Sequence, residues 1–511
     1  MIAKIIQKKG LIILPFVLVF SIFNIYFVNG ELITVNTDMT DVEAYTAIES
    51  ATAGDIVEIA PGTYKFRVIL MNHGTLENPI IIRAQDPNNR PIWDLGGKYC
   101  DQWPGSYNAG DKGRGAWQVQ EGSHYIISDL IIRNSHISSG SSAGFRNNAG
   151  HDLTFRNCLF EKNDNGFTGN GENILYEFCE ISESQGNGLG HSVYVFGGTI
   201  TIRFSYIHDT KSGQNLHIRA KNARIEYNLI ENSGSYMADL MTNEDQNNNQ
   251  PVNLTMTFLG NIFVDKEPSG NSGQVFVMYN DADYPNTRMR MNFYYNTYIG
   301  FNQNAGLIHF TNNSGHELEF QEVYFYNNLI YDNQIPIIVD ELLATEGYYF
   351  ESKNNWWSGT IDDYSQFTDY LDSSYFGLDP SFKDYDNNNF SLNLDSELIG
   401  IANPALGEIP EFEYYFENNV HMKFRNRDSN DIGAFESTTS GQIYGYGGNY
   451  EPLPCTPSTE ICGNGIDEDC DGQDLICCTT KNELKTEIES FFDGDISIMI
   501  ILNKIIAWKN C

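Results

Sequence analysis

Short apolar runs separated by glycine, asparagine and other turn residues recur along the middle of the chain. Each run carries a small or amide residue with a large apolar residue two positions later, as in TFRNCLF, TIRFSYI and FYYNTYI. Successive small or amide residues are 21 to 35 positions apart. Repeats of this length, built from short β segments, are typical of stacked solenoids. The aligned residues are Ser135, Cys158, Cys179, Ser205, Asn228, Asn261, Asn296 and Asn328.

The repeat predicts an all-β fold, a right-handed single-stranded parallel β-helix. Leucine-rich repeats need regular leucines with helical segments, and propeller blades need about 40 residues, so neither architecture fits. In a β-helix, equivalent residues of neighbouring coils stack about 4.8 Å apart. The longer intervals in the later coils indicate inserted loops, such as 243–251, which would wall a groove. Cys158 and Cys179 fall in one column, where the pattern favours stacked buried thiols over a disulfide.

Two stretches near the start and one near the end carry a family resemblance. AGDIVEIAPGTYKF (53–66) and NPIIIRAQDPNNRPIWDLGG (78–97) resemble the opening coils of secreted right-handed β-helix proteins, including the chondroitinase B and alginate lyase group of polysaccharide lyases. NDIGAFE (430–436) resembles the last coil of many such domains. The resemblance implies a β-helix domain over residues 31–440 and a polysaccharide as the molecule it acts on.

One strand, at 215–221, combines an apolar face with a charged one. If Leu216, Ile218 and Ala220 point into the coil, then Asn215, His217, Arg219 and Lys221 point outward together. Alignment with the preceding coil places Tyr194 beside His217, and alignment with the following coil places Asp239 on its other side. This second alignment keeps Tyr236, Ala238 and Leu240 inward. The pattern therefore predicts an outward column of Tyr194, His217 and Asp239, with Arg219 one position along.

Residues 188–240 resemble a group of secreted β-helix repeat proteins whose activity is largely undetermined. The matching segments are HSVY (191–194), YIHD (206–209), GQNLHIRA (213–220) and YMADL (236–240). In that family a lysine stands at the position of His217 and a glutamate at that of Met237. Lysine and arginine are the usual base and acid of chondroitinase B-like lyases, so the family machinery is not carried over intact: His217 replaces the lysine as base, or the site is inactive.

Eliminative cleavage of a uronic acid polymer needs a cation for the carboxylate, a base for the adjacent proton and a donor for the leaving oxygen. The predicted catalytic residues are His217, Arg219, Tyr194 and Asp239. The competing interpretations are ladder ion pairs for Lys221, Arg224 and Glu226, and turn hydrogen bonds for His191 and His208. The residues predicted to bind substrate are His191, His208, Asp209, Lys221, Tyr236, Tyr279 and His309.

The net charge limits the possible partners of the protein, and its N-terminal residues indicate where it is located. The chain has 67 Asp and Glu against 31 Lys and Arg, a formal net charge of −36. This charge repels polyanions, which argues against nucleic acid and an anionic membrane surface as partners. Residues 1–30 join early lysines to the apolar run LIILPFVLVFSIFNIYFV, which predicts a signal peptide rather than an uncleaved anchor. We therefore expect a monomeric protein that is secreted or held at the cell surface.

Three functions remain open from the sequence. The first is a polysaccharide lyase-like enzyme acting on an acidic polysaccharide. The second is a non-catalytic surface or adhesion protein that binds glycans along the same groove. The third is a glycoside hydrolase on the same fold, which would need a pair of carboxylates about 6.5–9.5 Å apart if it inverts. The core coils offer only Asp281 and Asp283 for that purpose, so hydrolysis ranks below elimination.

The C-terminal part changes character after a Gly/Tyr/Pro linker at 441–454. CGNGIDEDCDGQD, within a module at 455–478, resembles a secreted Cys/Asp-rich metal-binding motif. Its alternating carboxylates are hard oxygen ligands suited to Ca²⁺, and the alternative is a disulfide-stapled acidic turn. Residues 479–511 resemble a degenerate dockerin-like tail for a cell-surface or scaffold partner, or form an ordinary helical hairpin. The predicted metal ligands are Asp467, Asp469, Asp471 and Asp474.

Overall fold

A computed structural model gives the architecture of the chain. The residues that it describes are 30–96, 104–105, 115–137, 141–186, 190–241, 252–265, 275–279, 287–300, 306–311, 321–332, 337–339, 348–365, 369, 371–417, 420–427, 430–437 and 443–446. They form the right-handed parallel β-helix that the repeat predicts, with three long all-parallel sheets running the length of the coil. The chain divides between Tyr446 and Gly447, and the predicted metal-binding module and tail lie outside the described residues.

The first sheet opens each coil. Its inward side chains alternate with outward ones, as in Ser123–Ser128, where Tyr125 and Ile127 are buried in the core. Its 12 strands are Leu32–Val35, Ile56–Ile59, Ile80–Ala84, Ser123–Ser128, His151–Arg156, Ile174–Glu177, Thr199–Arg203, Asn222–Glu226, Val252–Leu259, Thr287–Tyr294, Gln321–Tyr326 and Tyr348–Lys353.

The second sheet follows after a sharp corner. The corner residue adopts a left-handed backbone in coil after coil, even where it is aromatic, as at Phe178, Phe204 and Tyr227. The 12 strands of this sheet are Thr63–Tyr64, Ile92–Asp94, Ile131–Arg133, Leu159–Glu161, Glu180–Ser182, Tyr206–His208, Leu229–Glu231, Ile262–Val264, Thr297–Ile299, Leu329–Tyr331, Trp356–Ser358 and Tyr375–Gly377.

The third sheet completes each coil and carries the charged strand. Its 10 strands are Val68–Leu70, Gly115–Val119, Ala143–Asn147, Asn165–Gly169, Val193–Phe196, Leu216–Arg219, Ala238–Met241, Phe276–Tyr279, Ile308–Thr311 and Ile337–Val339. The inward residues of all three sheets form one continuous core, from Val35 to Leu371.

The column of small and amide residues has the predicted register in seven coils and a different one in the first. Leu159 pairs with Ile131, so Leu130 and not Ser135 occupies the position equivalent to Cys158. Ser135 instead lies at the next corner, where its hydroxyl donates to the Ala143 carbonyl. The column also extends one coil further than predicted, to Asn355. Cys158 and Cys179 are buried free thiols, as the sequence favoured.

A short helix covers the N-terminal end of the coil. Asp41–Glu49 begins with a capping box, in which the Glu43 N–H donates to Thr40 Oγ1 and the Thr40 N–H donates to the Glu43 carboxylate. Ala44 and Ile48 pack into the same core as the first strands. Among the described residues, no helix has the length and apolar character needed to span a bilayer.

Residues 382–446, which we call the C-terminal strap, do not continue the coil. Their strands are antiparallel: Phe382–Asp384 pairs with Asn389–Leu392. Another sheet consists of Phe412–Glu417, Val420–Asn426 and Ile443–Gly445. A 3-10 helix, Ile361–Tyr364, precedes the strap. NDIGAFE was predicted to be a last coil, and this was wrong. Its Ile432, Ala434 and Phe435 pack outside the second sheet, against residues such as Leu329 and Leu229.

Candidate functional site

The charged strand, Leu216–Arg219, lies in the middle of the third sheet. It pairs in parallel with Val193–Phe196 on one side and Ala238–Met241 on the other. The register places Tyr194 opposite His217 and His217 opposite Asp239, as the sequence alignment predicted. Three consecutive coils therefore bring a phenol, an imidazole and a carboxylate into one outward column.

His217 and Asp239 form a close, buried pair. The His217 Nδ1 atom lies 2.9 Å from Asp239 Oδ2, and the two residues are 9% and 2% exposed. A carboxylate withdrawn from water to this extent needs a polar partner, and the His217 imidazole lies against it. Within the described part of the chain, neither buried imidazole nitrogen of His217 has a well-aligned hydrogen-bond partner, so the two groups are close without forming a hydrogen bond. Hydrogen bonds to the described residues therefore leave both imidazole nitrogens open for proton transfer.

Two rings lie against the His217 imidazole. Tyr194 meets it edge-on at 4.4 Å between ring centroids, and His191 lies at 4.7 Å with a 35° tilt. Burial lowers the pKa of His191 well below its ordinary value, and the neighbouring His217 lowers it further. His191 is therefore neutral near pH 7.

Arg219 lies one outward position further along the same strand, opposite Phe196. It is 5% exposed, so the outward face of this strand is not the open, solvated surface that the sequence suggested. The half-buried Tyr194 is the most accessible of the four predicted catalytic residues.

The column continues on both sides of the four residues. Towards the C-terminus, Asp239 pairs with Val277 and Val277 with His309, so His309 shares the column but an apolar residue separates it from the carboxylate. Tyr279 occupies the adjacent line, opposite Met241. Towards the N-terminus, Tyr194 pairs with Thr168 and Thr168 with Arg146. Arg146 was missed by sequence reasoning, although the alternation in AGFRN at 143–147 contained the signal.

Three of the residues expected on this face are placed differently. Tyr236 is half-buried outside the core, and the fully buried Met237 takes the inward place, because the strand begins only at Ala238. Burial and the nearby Asp239 carboxylate raise the pKa of Tyr236, so this ring borders the site. Asn215 is buried in the turn before the strand, where its Nδ2 donates to the Glu231 carbonyl. Lys221 is exposed beyond the end of the strand.

His208 and Asp209 do not join the column. His208 ends a strand of the second sheet, with Nδ1 2.8 Å from Asp209 and Nε2 3.3 Å from Glu180. Although burial opposes the charged form, these two carboxylates raise the pKa of His208 to about 9. Their contacts agree with the turn interpretation. Asp281 and Asp283, and the predicted Ca²⁺ ligands, lie outside the described residues.

No family model and no curated protein matches the chain. Among solved structures, pectate lyase Pel9A is similar at 14% identity, with a TM-score of 0.47 over 80% of this chain and 97% of its own. An alginate lyase from Paenibacillus sp. str. FPU-7 is 13% identical, with a TM-score of 0.38 over 62% and 97%. The tailspike protein gp49 of Acinetobacter baumannii bacteriophage Fri1, a capsular polysaccharide depolymerase, is 11% identical, with a TM-score of 0.38 over 78% and 67%. These similarities concern the fold alone.

Proposed function

We propose that the third-sheet column is the active site of a polysaccharide lyase-like enzyme that cleaves a uronic acid polymer by β-elimination. The observation that carries the proposal is the buried His217–Asp239 pair, with His217 Nδ1 2.9 Å from Asp239 Oδ2 and neither imidazole nitrogen hydrogen-bonded to a described residue. An imidazole beside a carboxylate and without a competing hydrogen bond is suited to proton abstraction.

Each residue has a definite role in this scheme. His217 Nε2 takes the proton from C5 of the uronate, the electron pair of that C–H bond forms the C4–C5 double bond, and the C4–O bond breaks. Tyr194 donates a proton to the departing oxygen. Arg219 binds the substrate carboxylate and thereby makes the C5 proton more acidic. Asp239 stabilises the imidazolium while it holds the proton.

Access to the base is part of the proposal. The rings of Tyr194 and His191 cover His217, so a substrate must move the half-buried Tyr194 ring before it reaches Nε2. Tyr194 is suited to this role because it can rotate as the sugar enters and then lie close enough to the leaving oxygen to protonate it.

The test is ultraviolet absorbance of the unsaturated uronate during incubation with alginate, pectate and chondroitin, with and without Ca²⁺. His217→Ala and Arg219→Ala should each lower kcat/KM about 100-fold or more, because each removes a group that acts in the transition state. His136→Ala is the matched control, since His136 also contacts an aspartate, Asp164, at 2.8 Å but lies outside the column. Equal rates for the wild type and His217→Ala would refute the site.

The burial of the column favours a second candidate, a glycan-binding protein without catalysis. His217, Arg219 and Asp239 are each less than a tenth exposed, which suits a structural charge cluster beneath a recognition surface. Retardation on a glycan affinity column, without any rise in absorbance across the polymer panel, would select this alternative over elimination.

The remaining predictions concern residues outside the described part of the chain. We propose that the chain is exported by its N-terminal segment and that Asp467, Asp469, Asp471 and Asp474 bind Ca²⁺. We further propose that residues 479–511 attach the protein to a cell-surface or scaffold partner. The alternation of carboxylates before Gly472 supports the calcium proposal.

A further inference from the structure

Two histidines and an aspartate converge on the outer face of the first sheet, away from the third-sheet column. They are His124 at the start of one strand and the adjacent His151 and Asp152 at the start of the next. Their potential ligand atoms all lie within 4.8 Å of one another. The Asp152 Oδ2 atom is 2.5 Å from His151 Nδ1 and 3.8 Å from His124 Nε2.

The backbone explains why these side chains meet. His151 pairs with Ser123, so Asp152 stands level with His124 in the next coil, and both adopt a left-handed conformation, with φ of 56° and 55°. Asn173 repeats this conformation one coil later and donates from Nδ2 to Asp152 Oδ1 at 2.9 Å. Because that bond holds Oδ1, the second carboxylate oxygen faces the two imidazoles.

The chemistry of the three donor groups suits a cation. Two imidazoles and one carboxylate form a mixed nitrogen and oxygen donor set of the kind that Zn²⁺ and related transition metals prefer, whereas Ca²⁺ prefers oxygen alone.

We propose that His124, His151 and Asp152 form a binding site for a divalent transition-metal ion of the zinc class. Tetrahedral ligand bonds of about 2.0–2.2 Å place donor atoms about 3.3 Å apart. His151 Nδ1 must therefore move away from Asp152 Oδ2, now 2.5 Å distant, and His124 Nε2 must approach it from 3.8 Å; His151 is exposed and its side chain can rotate. Three protein ligands leave a coordination position open. His124 and Asp152 also line a groove of about 580 Å³ that continues along the sheet past Thr154 and Leu175, so that position faces a space large enough for a small ligand.

The site differs from the proposed catalytic column in sheet, residues and chemistry, so the two proposals fail independently.

The experiment titrates the full chain with Co²⁺ in excess Ca²⁺ and follows the visible d–d absorption, which distinguishes nitrogen and oxygen ligation from the charge-transfer bands of cysteine thiolates. We expect one saturable equivalent without thiolate bands. His151→Ala and Asp152→Asn should each weaken it at least about tenfold. His136→Ala, which removes another histidine in contact with an aspartate, should leave it unchanged.

Two outcomes would overturn the proposal. One is a wild-type chain without a saturable equivalent of this kind. The other is equal affinity in the wild type and both cluster variants, which would place the ion elsewhere. Asp152→Asn retains the size of the side chain and the bond partner Asn173, and His151 is exposed, so circular dichroism should show both variants folded.

Discussion

Buried histidines of this protein differ in whether a carboxylate accompanies them. His208 lies between Glu180 and Asp209, whereas His191 faces a tyrosine and another imidazole. The pKa of His208 is accordingly raised to about 9, and that of His191 is lowered well below its ordinary value. Two histidines in adjacent coils of one solenoid thus carry different charges at neutral pH, and the difference follows from their neighbours.

The raised pKa of His208 predicts a pH-dependent contribution to stability. The folded pKa lies above the unfolded value near 6.5, so the stabilisation is complete below about pH 6.5 and lost as the pH rises through 9. The difference in unfolding free energy between the wild type and His208→Gln should therefore be about 2–3 kcal/mol at pH 6 and shrink towards pH 9.5. Urea denaturation at a series of pH values measures it. A difference independent of pH would contradict the assignment.

The lowered pKa of His191 predicts the opposite trend. Its folded pKa lies below the unfolded value, so folding is opposed once the pH falls below about 6.5, where the unfolded imidazole binds a proton and the buried one does not. His191→Phe should therefore lose less stability than the wild type between pH 7 and pH 5. Thermal unfolding across that interval checks this, and parallel curves for the two proteins would refute it.

At the scale of the elements, an asparagine ladder joins the later coils. Asn296 is typical: its Nδ2 donates to the Phe258 carbonyl at 2.9 Å and to Asn328 Oδ1 at 3.1 Å, and its Oδ1 accepts from the Asn261 backbone at 2.9 Å. All these groups are buried, so each rung satisfies backbone atoms at a corner that the sheets leave unpaired. The ladder members are Asn228, Asn261, Asn296, Asn328 and Asn355.

Removing the side chain of one ladder asparagine should lower the unfolding free energy substantially. Asn296→Ala leaves several buried donors and acceptors without partners, and we expect a loss of about 3 kcal/mol or more in unfolding free energy. Asn89→Ala, at an exposed turn, is the control and should change little. Urea midpoints of the two variants give the comparison. A cost below about 1 kcal/mol for Asn296→Ala would mean that water replaces the lost bonds.

The ladder also shows how far the sequence determines the elements. Stacking requires the same residue type at the same place in each coil, so the asparagines, the cysteines and the Tyr194–His217–Asp239 register could all be read from spacing. Ser135 was misplaced because it too is a small residue with an apolar one, Ile137, two positions later. Periodicity alone cannot distinguish two such positions on either side of a strand; the hydrogen bonds of the corner decide it.

Burial was less predictable than register. Alternation assigns Arg219 and His217 to the outward face correctly, but outward does not mean exposed: both are buried, and the rings of His191 and Tyr194 lie against His217. The His124–His151–Asp152 cluster was missed for a related reason: left-handed backbone at the start of a strand brings side chains together, and no alternation pattern contains it.

For the whole molecule, the C-terminal strap is the feature that the repeat could not predict. Its sequence is rich in Tyr, Asp and Asn, which resembles fading coils, and only the structure shows it returning along the corner between the first and second sheets. Glu408 contacts Arg224, the Glu411 backbone donates to the Tyr227 hydroxyl, and Tyr446 donates to Asp129 at 2.7 Å. The strap therefore runs back over most of the solenoid.

Truncation separates the contributions of the strap and of residues 447–511. A chain ending at Tyr446 should keep the urea midpoint of the full chain and lose Ca²⁺ binding, since the proposed ligands are gone. A chain ending at Gly377 should unfold at lower urea and in a broader transition, because the apolar outer face of the second sheet is uncovered. Equal midpoints and equal steepness for both truncations would show that the strap adds no stability.

The strap has a consequence for the order in which the protein forms. A plain solenoid depends on contacts between adjacent coils and can grow or fray from either end. Here the Asp129–Tyr446 hydrogen bond joins residues 317 positions apart in the sequence. The contacts of the strap can therefore form only after nearly all coils have stacked. Folding should end in a slow step, and unfolding should have to release the strap before a coil can peel away. That late closure should give the folded protein a long native lifetime.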